Sequence, residues 1–300
     1  MRLLVTGGSG LLGFKVVSKA LEKGWEVITT YHSHEIPLEN SRLRKVRVDI
    51  SNSVVLEDLI LKCRPDVIVH CAAYTDVDGC EVNREYAWKV NVEATRSVVL
   101  AGRVVRSYII YISTDYVFDG EKGMYREGDI PYPVNFYGLT KLVAEQLVKS
   151  RDLLYCVVRP SAIFGWGPGK KNFATFVVER LSRGEVVKAV TDQYVSPTLN
   201  SLLADALIEI AELKPIGFLH VAGERLSRYE FAVKIAEKLG LPTGKILKIS
   251  MRDLNWKAVR PRDSSLDTSK ASRLLTVKFG DIDFALDLFC EEFKSLGEGL

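Results

Sequence analysis

The sequence predicts an α/β protein in which a doubly wound parallel sheet is followed by a smaller C-terminal α/β lobe. Residues 1–160 alternate short β-branched runs with longer stretches of helical periodicity. The short runs are apolar throughout, which is typical of parallel strands that helices cover on both faces. After residue 159, glycine and proline interrupt the alternation, and this change indicates a second lobe.

The predicted strands of the first domain are short and rich in valine, isoleucine and leucine. They are Leu3–Val5, Glu26–Tyr31, Val46–Ile50, Asp66–His70, Ser107–Ser113 and Leu154–Val158. The predicted helices are Leu11–Lys23, Ser53–Lys62, Glu85–Ala101 and Asn135–Val148, the last with Asn135 as its capping residue. Leu12, Val16 and Ala20 fall on one face of the first helix, so we expect that face to pack against the sheet.

The second lobe is predicted from a glycine-rich stretch and from three later helices. Three glycines and a proline lie between residues 165 and 169, and the predicted helices are Phe173–Ser182, Arg228–Leu239 and Ile282–Phe293. We therefore predict a first domain over residues 1–158, to which a segment near 190–222 returns. The second lobe would comprise mainly residues 159–300.

Composition excludes several classes of function. The chain has 41 Lys plus Arg and 38 Asp plus Glu, a net charge of +3, which argues against a polybasic nucleic-acid arm or an acidic tail. Its five cysteines are odd in number and contain no C-x-x-C pair, unlike a disulfide framework or a zinc ribbon. No signal-peptide core and no membrane-spanning apolar run are present. We expect a cytoplasmic protein without a membrane or nucleic-acid partner.

A glycine-rich turn follows the first predicted strand and opens the first helix. Gly7, Gly8, Gly10 and Gly13 satisfy the spacing of a dinucleotide-binding fingerprint. One glycine allows the tight turn, one lets the backbone approach a pyrophosphate, and the last permits close packing of helix and strand. The helix N-terminus adds free N–H groups and a partial positive charge. The turn predicts a bound dinucleotide.

The end of the second strand favours NADP(H), with NAD(H) as the alternative. Residues 30–34 carry no carboxylate to hold the ribose hydroxyls of NAD. His32, Ser33 or Arg44 could instead contact a 2′-phosphate. His32 and His34 would face opposite sides of an extended segment and lack a third ligand, so we predict no metal site.

Three side chains from separate segments are candidates for proton transfer. Tyr137 and Lys141 are four residues apart on a predicted helix, hence on one face. An ammonium within hydrogen-bonding range, together with the positive nicotinamide ring, favours phenolate, so we expect the pKa of Tyr137 to be lowered toward a useful acid strength. Thr114 ends a strand and should point into the crevice where open α/β sheets bind ligands. Its hydroxyl could hold the carbonyl oxygen that Tyr137 protonates.

Motifs along almost the whole chain resemble the extended short-chain dehydrogenases/reductases, and within them the dTDP-4-dehydrorhamnose reductase group. The matching segments are Thr6–Gly13, Cys71–Asp78, Ser113–Gly120, Tyr137 with Lys141, Asn172-Phe173, Asp192-Gln193 with Ser196–Thr198, and Arg260-Pro261 with Ser265–Asp267. The resemblance implies a Rossmann NADP-binding domain and a substrate-binding lobe. It also implies hydride delivery to the C4 keto group of a nucleotide-linked 4-keto-6-deoxy sugar.

The resemblance assigns roles to particular residues. Thr114, Tyr137 and Lys141 would be catalytic, with Tyr137 as proton donor and Lys141 also holding the nicotinamide ribose. The cofactor would be bound by Gly7, Gly10, Leu11, Leu12, Tyr31, His32, Ser33, Asp49, Ile50, Cys71, Ala72, Ala73, Thr75, Tyr137, Lys141 and Pro160. The sugar nucleotide would be bound by Thr114, Asp115, Phe118, Asn172, Gln193 and Arg260.

Three departures refine this resemblance. Related dehydratases carry Thr-Asp-Glu where this chain has Tyr116 as the third residue, which favours reduction without dehydration. Many rhamnose-pathway reductases carry a substrate-packing Trp where Ala162 stands, and Trp166 is the nearest candidate to compensate. Bacterial members can place an acidic magnesium ligand at the position of Lys15, so we expect no metal-bridged dimer.

Two alternatives to the reductase remain. The same motifs resemble the regulatory β subunit of methionine adenosyltransferase, which keeps the fold and the NADP site but acts by binding an enzyme partner. A nucleotide-sugar epimerase is the other alternative, since fold and motif alone do not fix the reaction. A homodimer would, by resemblance, use the helices at 85–101 and 135–148.

Overall fold

The computed structural model describes residues 1–149, 154–169 and 171–297. A seven-stranded sheet forms its centre, and all of the neighbouring strand pairs in that sheet are parallel. Helices cover both faces, so the predicted doubly wound α/β fold is confirmed.

The strands and helices in chain order have the following bounds. The strands are β1 Arg2–Thr6, β2 Glu26–Tyr31, β3 Leu43–Arg47, β4 Val67–His70, β5 Tyr108–Ile112, β6 Tyr155–Arg159, β7 Ser161–Phe164, β8 Val187–Val190, β9 Tyr194–Val195, β10 Pro197–Leu199, β11 Gly217–His220, β12 Leu226–Ser227 and β13 Ile246–Ile249. The α-helices are α1 Leu11–Glu22, α2 Ser53–Cys63, α3 Val77–Val82, α4 Arg84–Trp88, α5 Ala94–Val105, α6 Phe136–Val148, α7 Phe173–Ser182, α8 Asn200–Leu213, α9 Arg228–Lys238, α10 Ser269–Leu274 and α11 Ile282–Gly297.

The strand order of the large sheet is β11-β6-β5-β4-β1-β2-β3. Successive residues of β1 point to opposite faces: Leu3 and Val5 join the apolar cluster that contains α1 and α8, and Leu4 joins the cluster that contains α2 and α5. This alternation buries both faces of the central strands, which explains why they are apolar throughout. None of the helices in the described ranges is long and apolar enough to span a bilayer.

The third strand lies three residues earlier than the sequence pattern predicts. β3 covers Leu43–Arg47 because it pairs with β2 in a register that joins Val27 to Leu43 and Tyr31 to Arg47. As the last strand of the sheet it carries exposed charged residues, so an apolar run does not mark it. The last three residues of the predicted strand Val46–Ile50 lie beyond β3 and line a large cavity.

The predicted helix at 85–101 is longer and less regular than expected. Helical backbone begins at α4, passes through a π-helical turn at Lys89–Glu93, and ends with α5 at Val105. Periodicity also missed the short helix α3 and the long helix α8. α8 packs against α1 and leads to β11, which pairs with β6.

The remaining strands form three two-stranded sheets, β7 with β10, β8 with β13, and β9 with β12. Helices α7, α9 and α11 pack around these strands. Their apolar side chains belong to the same core cluster as those of α1 and α8, so these elements share a core with one face of the large sheet.

Candidate active site

A cavity of about 650 Å³ opens at the carboxyl ends of the parallel strands. Residues that follow β1, β2, β4, β5 and β6 line it, and residues of α7 and α9 close its other side. Most of the site residues expected from the sequence line this cavity. They are Gly7, Gly10, Leu11, Leu12, Tyr31, His32, Asp49, Ile50, Cys71, Ala72, Ala73, Thr75, Thr114, Asp115, Tyr137, Lys141, Pro160 and Asn172.

The glycine turn has the geometry of a phosphate cradle. Gly7 has a φ of +72°, and a Cβ there would lie 2.9 Å from the Cα of Ala72. A Cβ on Gly13 would lie 2.2 Å from the carbonyl oxygen of Gly7. Gly10 stands at the N-cap position of α1, where no side chain accepts a hydrogen bond from the helix. No acidic residue lies in the first turn. The first N–H groups of this helix therefore remain available to an anion in the cavity.

Some of the polar residues at and beside the end of β2 do not lie where the sequence predicts. His32 lines the cavity, whereas the exposed Ser33 lies beside it, with its hydroxyl 3.2 Å from His32 Nδ1. Arg44 points toward Cys63, 3.9 Å from its Sγ, because Arg44 faces the α2 side of β3. Arg47, which the sequence analysis missed, donates a hydrogen bond of 3.2 Å to the carbonyl oxygen of His32. The register of β2 and β3 pairs Arg47 with Tyr31, so a correct prediction of that register would have placed Arg47 beside His32.

Tyr137 and Thr114 meet at the inner end of the cavity. Tyr137 lies in the first turn of α6, which Asn135 caps by accepting a 2.8 Å hydrogen bond from the Gly138 N–H. Thr114 follows β5, and its hydroxyl accepts a 3.2 Å hydrogen bond from the Tyr116 N–H. Burial raises the pKa of the Tyr137 phenol, and a hydrogen bond with Thr114 opposes that rise.

Lys141 lies one turn along α6 and is almost completely buried. Its Nζ donates a hydrogen bond of 2.6 Å to the carbonyl oxygen of Ile112 and lies 4.3 Å from the centre of the Tyr111 ring. Burial lowers the pKa of this ammonium to about 7, although the nearby Glu145 carboxylate opposes the change. In the protein alone, burial raises the pKa of Tyr137, and the Lys141 ammonium is bonded to a strand carbonyl. The lowering expected from Lys141 together with a nicotinamide ring stays a prediction.

A buried ion pair supports α6 behind Lys141. Glu145 accepts hydrogen bonds of 2.8 and 2.6 Å from Nε and Nη2 of Arg159. The hydroxyl of Ser113 also donates to Glu145. This network joins α6 to the ends of β5 and β6, so it fixes the helix face that carries Tyr137 and Lys141.

Asp115 lines the cavity, but its carboxylate is bound by the protein itself. Its Oδ2 accepts hydrogen bonds of 2.8 Å from Ser161 and 2.5 Å from Ser264, and its Oδ1 accepts one of 3.1 Å from Thr114. Burial raises the pKa of this carboxyl, and these hydroxyls counteract it. Asp115 therefore joins the strand ends to the second lobe, and its carboxylate oxygens are not free.

Three expected substrate residues do not line the cavity. Phe118 is fully buried and stacks on Tyr125 with ring centres 4.2 Å apart. Gln193 is also buried, and its amide donates to the Pro261 carbonyl at 3.4 Å. Arg260 forms an ion pair with Asp78 at 3.2 Å. Each of these side chains already has partners within the protein, so a direct substrate contact from it is not supported here.

Trp166 does not replace the missing substrate-packing Trp. Its indole N–H donates to the carbonyl oxygen of Phe289 at 2.9 Å, and its ring stacks on Phe289 and Phe293. These contacts attach the loop after β7 to α11. At the position of the family's Trp, the small side chain of Ala162 lines the cavity, which leaves that part of the site wide.

Several cavity residues were not identified from the sequence. Val48, Tyr74, Val77, Tyr86, Val90, Tyr116, Ile163, Lys171, Phe173, Val195 and Arg228 also line the cavity. Tyr74, Val77, Tyr116 and Phe173 lie in segments that carry the family resemblance, but no role was assigned to them. The others lie outside those segments. Phe173 and Arg228 reach the site because α7 and α9 pack over the ends of the strands.

Comparison with known proteins places the chain in one family. The profile of the RmlD substrate binding domain matches residues 1–295. The chain is 36% identical over 274 residues to the "Probable low-salt glycan biosynthesis reductase Agl14" of Haloferax volcanii, covering 90% of each chain. It is 32% identical to the dTDP-4-dehydrorhamnose reductase of Aggregatibacter actinomycetemcomitans, covering 95% of this chain and 97% of that one.

A regulatory subunit is similar at a comparable level. The methionine adenosyltransferase 2 subunit beta of Bos taurus is 31% identical over 281 residues, covering 91% of this chain and 82% of that protein. Sequence identity therefore does not by itself separate a reductase from a partner subunit.

Solved structures share the fold over nearly the whole chain. A hypothetical dTDP-4-dehydrorhamnose reductase from Sulfolobus tokodaii has a TM-score of 0.85 at 45% identity, covering 96% of this chain and 98% of that chain. The dTDP-4-dehydrorhamnose reductase from Bacillus anthracis, solved in complex with NADP, has a TM-score of 0.84 at 28% identity, covering 97% and 99%. The chain belongs to the RmlD substrate binding domain family.

Proposed function

We propose that this protein is an NADP(H)-dependent reductase of a nucleotide-linked 4-keto-6-deoxy sugar. The observation that carries the proposal is that Thr114, Tyr137 and Lys141 line the same cavity as the glycine turn. The similarity to two reductases, one of them a dTDP-4-dehydrorhamnose reductase, supports it. The alternative of an epimerase has no specific observation in its favour.

The cavity fits a dinucleotide. The uncapped start of α1 offers N–H groups for a pyrophosphate, and Asp49, Ile50 and Cys71 line the walls on either side. NADP(H) is favoured because Glu35, the first carboxylate after β2, is paired with Lys45 at 2.8 Å. When bound, the nicotinamide would supply the hydride. NAD(H) remains the alternative cofactor.

The three polar side chains have complementary roles in this proposal. The hydroxyl of Thr114 and the phenol of Tyr137 would hold the carbonyl oxygen of the sugar, and the phenol would donate the proton. The phenol of Tyr137 is protonated at neutral pH, as a proton donor must be. Lys141 would hold the ribose next to the nicotinamide. Tyr116 carries no carboxylate, so no base for dehydration stands at this position.

The decisive experiment measures NADPH consumption by the purified protein. We expect NADPH absorbance to fall when a dTDP-4-keto-6-deoxyhexose is added, and a reduced dTDP-sugar to accumulate in equal amount. The same sugar linked to UDP or CDP tests the base, and NADH tests the cofactor. Absence of turnover with every one of these substrates would contradict the reductase proposal.

A regulatory subunit is the second candidate because of the similarity to the bovine β subunit. In that case NADP would bind without turnover, and the protein would form a complex with a methionine adenosyltransferase. Size-exclusion chromatography of the two proteins mixed at equal concentration distinguishes the candidates. Turnover without complex formation favours the reductase, and the converse favours the subunit.

We further propose that the protein forms a homodimer in a reducing compartment such as the cytoplasm. The helices at α4–α5 and α6 expose large apolar side chains, among them Trp88, Leu100 and Leu139. Such side chains on adjacent helices are typical of an interface. None of the five cysteines, all of which lie in the described ranges, forms a disulfide, as is typical of a reducing compartment. Sedimentation velocity measures the oligomeric state.

A further inference from the structure

Arg228 presents a guanidinium group to the substrate side of the cavity. It is the first residue of α9, and its backbone N–H donates to the carbonyl oxygen of Gln193 at 3.1 Å. The side chain lines the cavity, and its guanidinium lies 5.2 Å from the centre of the Phe173 ring. Phe173 begins α7, so the two residues face each other where α7 and α9 close the site.

The other charged groups near Arg228 are already paired. Arg225 forms an ion pair with Asp263 at 2.8 Å. The carboxylate of Glu230 accepts a 2.7 Å hydrogen bond from the Ser227 N–H and so caps the helix. Lys171, on the opposite wall, is paired with Glu179.

The guanidinium of Arg228 forms no ion pair with a carboxylate in the described part of the chain. Its charge acts on Asp115 and Tyr116, favouring the charged form of each. These two residues directly follow Thr114, so the guanidinium faces the end of the cavity where the reaction would occur. The Asp115 carboxylate is hydrogen-bonded to serine hydroxyls, so its charge acts on Arg228 at a distance and not through a direct ion pair.

A half-buried guanidinium without a direct ion-pair partner keeps donors that an anion in the cavity can engage. Its planar fork binds phosphate or carboxylate oxygens with two parallel hydrogen bonds. We propose that Arg228 binds an anionic oxygen group carried by the sugar of the substrate, and that it thereby determines substrate specificity. The group is the phosphoryl attached to the anomeric carbon, because a 6-deoxy sugar carries a methyl group and no carboxylate at C6. This inference rests on the proposed function because it assigns the substrate half of the same cavity.

The test compares Arg228→Gln and Arg228→Lys with Arg252→Gln. Arg252 is exposed and does not line the cavity, so the control removes one positive charge without touching the site. Isothermal titration of the NADPH-saturated protein with dTDP, dTDP-glucose and UDP-glucuronic acid measures binding without turnover. Steady-state kinetics with a dTDP-4-keto-6-deoxyhexose measures KM and kcat separately.

We expect Arg228→Gln to weaken binding by about ten- to hundredfold, as for the loss of a hydrogen bond to a charged group. Arg228→Lys should recover part of the loss, and the control should bind like wild type. Weaker binding of all three ligands identifies the phosphoryl group as the source. Weaker binding of UDP-glucuronic acid alone would place the contact on a ring carboxylate and contradict the phosphoryl contact. NADPH affinity should change by less than about twofold, because the contact is to the substrate.

Unchanged affinity of Arg228→Gln for all three ligands would overturn this inference, and so would a wild type that binds none of them. Failure of the proposed function gives a different result. A wild type that binds dTDP-sugars but never oxidises NADPH contradicts the reductase, while a loss of affinity in Arg228→Gln would still support the contact. If Arg228→Gln turns over as fast as wild type at low substrate concentration, the Arg228 contact is contradicted and the reductase proposal is not.

Discussion

At the scale of single residues, the sequence predicted which residues carry functional groups better than it predicted where their side chains point. Tyr137 and Lys141 share a helix face because local backbone geometry fixes residues four apart, and both line the cavity. Phe118 lies only four residues after Thr114, yet its ring stacks on Tyr125 in a separate core cluster. The chain turns through a short 3₁₀ helix between them. Side-chain direction after such a turn depends on tertiary packing, which no spacing rule predicts.

Tyr137→Phe tests the role of the phenol at this scale. Because the phenol would act on the reacting oxygen, we expect kcat to fall by about 10²- to 10³-fold. NADPH affinity should stay within about twofold, since the ring and its packing remain. Stopped-flow single turnovers measure the rate, and fluorescence titration measures the affinity.

Tyr155→Phe is the matched control, because Tyr155 is buried in β6 and does not line the cavity. It should turn over like wild type. Equal turnover numbers for Tyr137→Phe and wild type would remove the phenol from the mechanism.

At the scale of elements, long apolar and periodic segments were predicted well and edge elements were not. β2 and α7 have the predicted bounds, since their patterns arise from burial of one element against its neighbours. β3 is displaced because an edge strand buries little and carries charge. The π-helical turn before α5 could not be predicted, because its residues are compatible with an ordinary α-helix.

Gly13→Ala tests how tightly α1 is packed on the glycine turn. Alanine normally stabilises a helix by about 1 kcal/mol relative to glycine. Here the new Cβ would lie 2.2 Å from the carbonyl oxygen of Gly7, and backbone cannot move as a flexible side chain can. We therefore expect a net loss of about 1–3 kcal/mol in the free energy of unfolding and weaker NADPH binding.

Gly244→Ala is the control for this substitution, because no heavy atom lies within 4 Å of the Cβ it would add. Urea denaturation should show a change within about 0.5 kcal/mol. A Gly13→Ala protein as stable as wild type, with normal NADPH affinity, would show that the close approach is unimportant.

At the scale of the whole molecule, two histidines join elements that are distant in sequence. His70 ends β4 and lies 2.7 Å from the hydroxyl of Thr6 and 3.1 Å from that of Thr95. His220 ends β11 and lies 3.0 Å from the Tyr125 carbonyl oxygen and 3.3 Å from Nη1 of Arg159. Burial is the largest cause that lowers the pKa of each to about 3, and Lys141 and Arg159 respectively add to it.

These histidines predict that the protein loses stability in mild acid. Both remain neutral in the folded protein down to about pH 3, whereas the unfolded chain takes up protons below about pH 6.5. The unfolded state binds more protons in this window, so stability falls as pH falls. Each histidine contributes about 1.4 kcal/mol per pH unit. We expect the unfolding free energy to drop by several kcal/mol between about pH 7 and about pH 5.

Urea denaturation across this range measures the slope. His220→Asn should reduce the pH dependence, whatever its effect on absolute stability, because one titrating group is removed. His34→Asn provides the control, since His34 is exposed, and it should leave the slope unchanged. A wild-type unfolding free energy that is constant over the range would contradict the prediction.

The sequence by itself determined the parallel sheet, the glycine turn and the face of α6 that carries Tyr137 and Lys141. The glycine turn and the helix face depend on residues close in the chain, which leave a periodic or spaced signature. The parallel sheet is predicted indirectly, because apolar strands that alternate with helices are typical of it. Only the tertiary structure decided that Phe118 and Gln193 are buried away from the cavity, and that Arg228 reaches it. Those outcomes depend on how α7 and α9 pack over the strand ends, and contacts between segments so distant leave no local pattern.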